Sequence, residues 1–259
     1  MKSIGILAIF FAALTASAQS PTTFEWEGTL EAKQTLQIRN IIGDIKAETS
    51  SGSDAEISVQ IVGTRPDPST IRIDIVPYDG GILACTIYLG ISHPEHCTPD
   101  LTPNLTLSNS DIRVNYTVRL PAGVNFAPHT INGNVSADLP GSSISAGTVN
   151  GRIILFSNQP ADAHSVNGSI VATLGDVSWE GTREFGTVNG TIDLEVPESC
   201  HAKVHAANVW GSLANDFAIM VHRNFVGSWF TGDINGGGPS SLVLNTVNGS
   251  IHLRRPPAQ

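Results

Sequence analysis

An all-β fold is what this sequence predicts: a β-solenoid built from a repeated strand–corner–strand unit, preceded by a less regular N-terminal β region. Three observations predict it. The hexapeptide Thr148-Val149-Asn150-Gly151-Arg152-Ile153 returns in variant form as far as Thr246-Val247-Asn248-Gly249-Ser250-Ile251. Apolar residues around each copy alternate with period 2. The N-terminal half, although it lacks the regular repeat, also carries alternation and no helical periodicity.

Aligned on glycine, the copies run Ile41-Ile42-Gly43-Asp44-Ile45, Ile131-Asn132-Gly133-Asn134-Val135, Val149-Asn150-Gly151-Arg152-Ile153 and Val166-Asn167-Gly168-Ser169-Ile170. They continue as Val188-Asn189-Gly190-Thr191-Ile192, Val209-Trp210-Gly211-Ser212-Leu213, Phe230-Thr231-Gly232-Asp233-Ile234 and Val247-Asn248-Gly249-Ser250-Ile251. From Gly133 onward the glycines are 18, 17, 22, 21, 21 and 17 residues apart. Alternation places Val149, Ile153 and Leu155 on one face of a unit and Arg152 and Ile154 on the other. Asn-Gly sits between the strands, where glycine accepts φ > 0 and asparagine tolerates the left-handed region.

Asn-Gly between alternating apolar residues is also a strong hairpin signal, so an antiparallel up-and-down sheet or barrel is the rival architecture. The near-constant period favours stacked coils, in which like residues lie over like. In such a stack Asn132, Asn150, Asn167, Asn189 and Asn248 form a partly buried amide ladder.

Taken in order, Met1-Lys2-Ser3, an apolar run from Ile4 to Leu14 and the small residues Ala16 and Ala18 read as a secretory signal over 1–18, cleaved before Gln19. The apolar run is short for a bilayer, and the absence of a second one gives no reason to expect a membrane span. Without Lys2 the exported chain carries 13 Lys and Arg against 23 Asp and Glu, a net charge of −10. That balance disfavours nucleic acid and anionic membrane surfaces as partners.

Residues 19–120 form the N-terminal β region. Strands are expected at Leu36–Ile38, Ile45–Ala47, Ile57–Val62, Ile71–Val76, Leu83–Leu89 and Ile112–Leu120. A Pro-rich polar excursion over 85–110 reads as a loop closed by a disulfide between Cys85 and Cys97 in an oxidising compartment. Cys200 is left as a small buried apolar residue. The repeat array runs over 121–255, and Pro256-Pro257 in the 256–259 tail blunts its end, since proline lacks the ladder donor.

The motif Val118-Arg119-Leu120-Pro121-Ala122-Gly123-Val124, followed by Thr130-Ile131-Asn132-Gly133 and the later Val-Asn-Gly copies, resembles the DUF4097 family of exported bacterial proteins, often labelled adhesins. Asn40-Ile41-Ile42-Gly43-Asp44-Ile45 resembles that family's N-terminal unit. The resemblance covers most of the exported chain and implies the repeat fold. Adhesion follows only by analogy with other β-solenoid surface proteins. The Cys85–Cys97 excursion departs from the pattern.

Candidate chemistry is sparse. His93, Glu95, His96 and Cys97 cluster in the excursion, but no second Cys/His pair completes a zinc site, and a disulfide-bonded Cys97 cannot ligate. Cys200, His201 and His205 lie in an alternating stretch that gives no orienting third group for a nucleophile. Of the repeat corners only Asp44 and Asp233 are acids, too remote in sequence for the paired carboxylates of a sugar-cleaving enzyme. The sequons at Asn134, Asn167, Asn189 and Asn248 are explained by the repeat itself; those at Asn104 and Asn115 lie outside it. Trp210 replaces a corner asparagine, and Trp229 and Phe230, with Phe225 nearby, make a candidate contact surface. No cofactor or metal is expected. The reading is a non-catalytic exported adhesin or scaffold, with a cell-surface glycan or protein as partner. A polysaccharide lyase or hydrolase on the same scaffold and a self-associating structural protein are the alternatives.

Overall fold

The computed structural model describes residues 22–63, 70–89, 92–93, 97, 104–105, 111–175 and 179–256. The 1–18 leader, His96, Glu95 and most of the excursion lie outside them, as does the side chain of His93.

The strands are β1 (Thr22–Thr29), β2 (Thr35–Arg39), β3 (Ile45–Thr49), β4 (Asp54–Val62), β5 (Ile71–Tyr78), β6 (Gly81–Tyr88), β7 (Ser92–His93) and β8 (Asn104–Leu105). Then come β9 (Arg113–Leu120), β10 (Asn125–Asn132), β11 (Val135–Asp138), β12 (Ile144–Asn150), β13 (Ile153–Ser157), β14 (Ala161–Asn167), β15 (Ile170–Leu174), β16 (Gly181–Asn189) and β17 (Ile192–Glu195). The last are β18 (Ala202–Trp210), β19 (Leu213–Asn215), β20 (His222–Asn224), β21 (Gly227–Ile234), β22 (Ser240–Asn248) and β23 (Ile251–Arg254). Among the described residues there is no α-helix.

Two large mixed sheets hold all of these except β7 and β8, and neither closes into a barrel. The smaller, of ten strands, has the order β1-β4-β9-β3-β11-β13-β15-β17-β23-β19; the larger, of eleven, has β20-β21-β18-β22-β16-β14-β12-β10-β2-β6-β5. Each corner carries the chain from one sheet to the other. Neighbouring copies pair in parallel and in register, so that Asn132, Asn150, Asn167, Asn189 and Asn248 align across the larger sheet. The corners are therefore not hairpin turns, because the strands on either side of one belong to different sheets.

Two expectations are corrected, and the order of the copies is a finding of the structure. Stacking order is not chain order: the Asn248 copy lies between the Asn189 and Trp210 copies, so the Trp210 copy is the outermost. Gly232 is not a corner; it lies inside β21, which runs antiparallel to β18 and pairs Gly232 with Val204. Val149 does not share the face of Ile153 and Leu155, since it is exposed and Thr148 points inward. The alternation phase resets at the corner, where the backbone is no longer one extended strand.

The N-terminal strands extend the same two sheets. β2 and β3 form a copy around Gly43, β4 and β9 add an antiparallel pair with β1, and β6 pairs with β2 in parallel and with β5 antiparallel. One continuous core runs from Leu36 and Ile57 through Phe126, Ile153 and Phe185 to Leu244 and Phe230. Each buried Ile, Leu or Phe contributes about 1.5–3 kcal/mol against the chain entropy. β6 is buried on both faces. Ala84 and Tyr88 join the main core, whereas Leu83, Cys85 and Ile87 form a small outer cluster with Cys97. The Cys85–Cys97 disulfide, with a Cα–Cα distance of 5.9 Å, anchors the excursion to this outer face.

The corner glycines are required by close approach. A Cβ on Gly133, Gly151, Gly168, Gly190, Gly249 or Gly211 would overlap the carbonyl oxygen of the glycine in the adjacent copy. Left-handed φ, expected for every corner, occurs only at the two ends of the row, 134° at Gly43 and 127° at Gly211. Gly151→Ala should therefore cost at least about 1–3 kcal/mol, the usual range for overpacking against an unyielding neighbour. Gly52→Ala, whose added Cβ meets only Ser50 Oγ at 3.6 Å, should stay within about 0.5 kcal/mol. Urea midpoints of the two variants against the parent measure the difference.

Candidate functional site: the corner ribbon

The corners build a continuous edge along the stack. Asn150 Nδ2 donates to Asn132 Oδ1 at 2.7 Å, Asn167 to Asn150 at 2.8 Å, Asn189 to Asn167 at 2.7 Å and Asn248 to Asn189 at 2.8 Å. The ladder is more exposed than partly buried: all but Asn132 are open to solvent. A primary amide has two N–H groups and two lone pairs on oxygen, so each rung keeps a donor and an acceptor for a ligand.

Inside the corner runs a second ladder. The hydroxyl of Thr130 donates to the Gly43 carbonyl at 3.1 Å, Thr148 to Gly133 at 2.9 Å, Ser165 to Gly151 at 3.3 Å, Thr187 to Gly168 at 2.9 Å and Thr246 to Gly190 at 3.1 Å. Asn208 does the same with its amide toward Gly249 at 3.0 Å. Thr148 and Thr246 open the repeated hexapeptide, but the sequence assigns this row no role, although a Thr, Ser or Asn precedes the ladder position by two in every such copy. A third row lies after the glycine. Asn134 Oδ1 accepts from Arg152 N at 2.9 Å, Ser169 Oγ from Thr191 N at 3.2 Å, and Ser250 Oγ from Ser212 N at 3.1 Å.

Next to the amide row, one residue earlier in each copy, stand Val149, Val166, Val188, Val247 and Val209, each between 38% and 41% exposed. Five β-branched side chains at strand spacing leave an apolar stripe beside the donors and acceptors. Neither row contains a charge. At the outer end Trp210 takes the register position next to Asn248 and is 69% exposed, and Phe225 and Val226 at the tip of the β20–β21 hairpin are also exposed. Trp229 lies on the outer face of the sheet, stacked on His222 with ring centroids 5.5 Å apart. Phe230 is fully buried and belongs to the core, as expected of residues adjacent in a strand, which face opposite ways. The three-residue contact surface read from the sequence is thus divided: Trp210 continues the ribbon, Trp229 faces elsewhere, and Phe230 is structural.

The other candidates separate as well. Cys200 is buried, and burial pushes its thiol up to about 11. His201 Nδ1 meets the Asn235 carbonyl at 2.7 Å and His205 Nδ1 meets Thr231 Oγ1 at 2.9 Å, so both rings have partners other than that thiol. Asp44 accepts from Asn134 N at 2.8 Å and pairs with Arg113 at 3.6 Å, far along the larger stack from Asp233 on β21. Among the described residues no group of three His, Cys, Asp or Glu side chains could hold a metal ion.

One acidic groove was not foreseen. Glu25, Glu27 and Glu56 with Trp26, Ser58, Thr117 and Arg119 line a depression of about 550 Å³ on the smaller sheet. Arg119 bridges Glu48 at 3.1 Å and Glu56 at 3.6 Å, and its hydrogen bond, followed by the charge of Lys46, holds Glu48 below the usual carboxylate range. The groove carboxylates lie on β1 and β4, outside the repeat, where corner spacing gave no signal for them.

On the outer face of the larger sheet His129, Gly147, His164 and Gly186 follow one another in register. Each imidazole lies against the neighbouring glycine, and a Cβ on Gly147 would meet the His129 ring at 2.5 Å. Burial, then the charge of Arg39, lowers the His129 pKa to about 4.

No protein-family model matches the sequence, and no curated protein matches it. Solved structures do. A candidate cell adhesion protein of Clostridium sporogenes is 11% identical, with 92% of this chain and 100% of that chain covered at a TM-score of 0.49. A candidate adhesin of Bacteroides fragilis is 11% identical over 90% of this chain and 98% of its own, with a TM-score of 0.34. A candidate lipid binding protein of Parabacteroides distasonis is 11% identical over 93% and 98%, also with a TM-score of 0.34.

The His129 environment sets a pH dependence. An unfolded histidine titrates near 6.5, so the unfolded state takes up the proton first and stability falls as pH drops from about 6.5 toward 4. The loss from this group should reach about 2 kcal/mol at pH 5 and be absent above pH 7.5. Urea unfolding of the parent and of His129→Gln at both pH values measures it: the parent should lose more stability than the variant by that amount.

Proposed function

We propose that the protein is an exported, non-catalytic surface protein of adhesin type, of the DUF4097 class, whose corner strands form a β-solenoid and whose corner ribbon binds neutral cell-surface polysaccharide. The observation that carries this reading is the ribbon: an exposed apolar stripe beside an amide ladder, both uncharged in a chain of net charge −9, ending at the exposed Trp210. A neutral polysaccharide offers the complementary pattern, since its rings present C–H faces and its hydroxyls donate and accept. The in-register parallel pairing of successive copies supports the solenoid. A disulfide and the leader-like N-terminus support export.

Contact along such a ribbon is spread over many equivalent rungs, each contributing little. An exposed aromatic at its end adds one larger apolar contact. A second reading, hydrolysis or lysis of a polysaccharide, is favoured by the Glu25–Glu27–Glu56 groove. In that groove Arg119 already pairs with one of the three acids, which leaves the ribbon as the preferred site.

Two measurements test the proposal. Protein recovered from the periplasm or medium should begin at Gln19 by intact mass, and a retained leader would contradict export. Purified protein should bind a neutral polysaccharide on a glycan array without releasing reducing ends. Trp210→Ala and Val188→Asp should each weaken that binding about tenfold or more while shifting stability by no more than about 0.5 and about 1–2 kcal/mol respectively. Binding unaffected by both substitutions would remove the ribbon from consideration, and new reducing ends lost in Glu56→Gln would establish the groove reading instead.

A further inference from the structure

The larger sheet holds a second polar locus, on its outer face next to the outer cluster of β6. Arg39 at the end of β2 lies in register with His129 on one side and Cys85 on the other. Gln37, two residues earlier, faces the same way, because Leu36 and Ile38 between and beside them are fully buried. Gln37 Nε2 donates to the Tyr78 hydroxyl at 2.8 Å, and that hydroxyl lies close enough to Arg39 to interact with its charge.

Two polar atoms there are buried and unused. Arg39 Nε has no acceptor, and Gln37 Oε1 has no donor. The nearby carboxylate of Asp74, in register with Cys85, is already engaged by Arg72 at 2.7 and 3.1 Å. No carboxylate among the described residues forms an ion pair with Arg39, whereas most arginines elsewhere in the fold have such a partner. Burying a guanidinium nitrogen and an amide oxygen without partners is unfavourable, and a ligand that met both would relieve that cost.

The pair defines the missing group. An unfilled donor on a cation calls for a carboxylate; an unfilled acceptor beside it calls for a hydroxyl. A bare anion satisfies only the first. One guanidinium with no lysine beside it suits a monoanion better than a dianionic phosphate, and the neighbouring side chains, a phenol, an amide and an imidazole, are neutral hydrogen-bonding groups of the kind that meet sugar hydroxyls. We propose that Arg39 and Gln37, flanked by Tyr78 and His129, form a binding site for an acidic sugar, with Arg39 anchoring the carboxylate and Gln37 Oε1 accepting from a ring hydroxyl. This site lies near the first rung, Asn132, at the end of the ribbon opposite Trp210, and its contacts do not use the ribbon.

Among the described residues, the charged and titratable groups around it are Tyr78, Asp74 and Arg72 on β5, Arg39 itself, His129 on β10 and His164 on β14. At neutral pH His129 is uncharged, held so by burial and by Arg39. A bound carboxylate would offset the Arg39 charge and raise the imidazole's titration point, so occupancy is readable at His129.

The experiment uses the purified full chain and sodium galacturonate, followed by calorimetry and by the His129 ring signals in NMR. Saturable binding is expected, with the His129 titration moved to higher pH, binding to sodium acetate at least fivefold weaker, and none to galactose. Arg39→Met should weaken galacturonate binding at least tenfold while holding or raising the thermal midpoint, because it removes an unpartnered buried donor. Arg39→Lys, which keeps the charge but not the planar fork, should weaken it several-fold. Trp210→Ala should leave it unchanged, so that failure of the ribbon and failure of this site are separate results. The proposal is overturned by no saturable binding, by equal affinity for inorganic phosphate or for a peptide with a free C-terminus, or by Arg39→Met that binds as the parent does. A lowered midpoint in Arg39→Met together with an unmoved His129 titration would make Arg39 a structural residue.

Discussion

The carbonyl oxygen of one corner glycine occupies the place where the next copy's glycine would carry a Cβ, and the rest of the array depends on that contact. Backbone on backbone at strand spacing leaves room for hydrogen only. The same geometry satisfies the corner's polar groups. Gly133 N donates to the Asn150 carbonyl at 3.0 Å, Gly151 N to Asn167 at 3.1 Å and Gly168 N to Asn189 at 3.0 Å, while the glycine carbonyls receive the inward hydroxyls of Thr148, Ser165 and Thr187. With register set there, the asparagines beside it must coincide, and their amides meet at hydrogen-bond distance. The exposed ladder is therefore a consequence of the buried contact.

The local unit was readable because it obeys local rules: alternation, a corner glycine and a return of the same residues at roughly 20-residue intervals. The Cys85–Cys97 bridge was readable because two cysteines in one excursion had no other role. What failed did so for physical reasons. A glycine tolerates both left-handed φ and close approach, and the letter does not say which is used; only Gly43 and Gly211, each with a glycine neighbour on one side of the row and not on the other, take the positive φ. Alternation carried through the corner puts Val149 inside, but the corner interrupts it, and the Thr or Ser two residues before each asparagine rung marks the inward side. Gly232 matched the period by chance of composition, since a glycine within β21 makes room for Ile219 and leaves no corner.

Stacking order had no local signal at all. Whether the Asn248 copy adds beyond the Trp210 copy or slides beneath it depends on which strand the edge of β16 meets, a long-range choice. The outcome has a rationale. Placing Asn248 next to Asn189 extends the amide ladder by one rung, a bond of 2.8 Å, while a Trp210 copy in that position would have broken it. The copy without an asparagine is left at the end, where it needs no further partner. Beyond it, antiparallel β21 and β20 finish the larger sheet, and Phe217, Ile219 and Val221 pack against the core at that end.

That ordering also determines what the surface can recognise. An amide row interrupted in the middle would present two short segments; an unbroken one presents five equivalent rungs, with apolar side chains alongside and an indole where the row stops. Rungs tied to one another cannot reorient independently, so little side-chain entropy remains to be lost when a ligand settles on them, and weak contacts can then add. The same rigidity restricts the ligand, which must offer polar groups at a spacing set by the strands. Charge does not provide the selection, since neither row carries any; periodicity does. A surface of this kind suits an extended, repetitive, uncharged partner better than a compact one, because a compact ligand would engage one or two rungs and leave the rest of the ribbon hydrated.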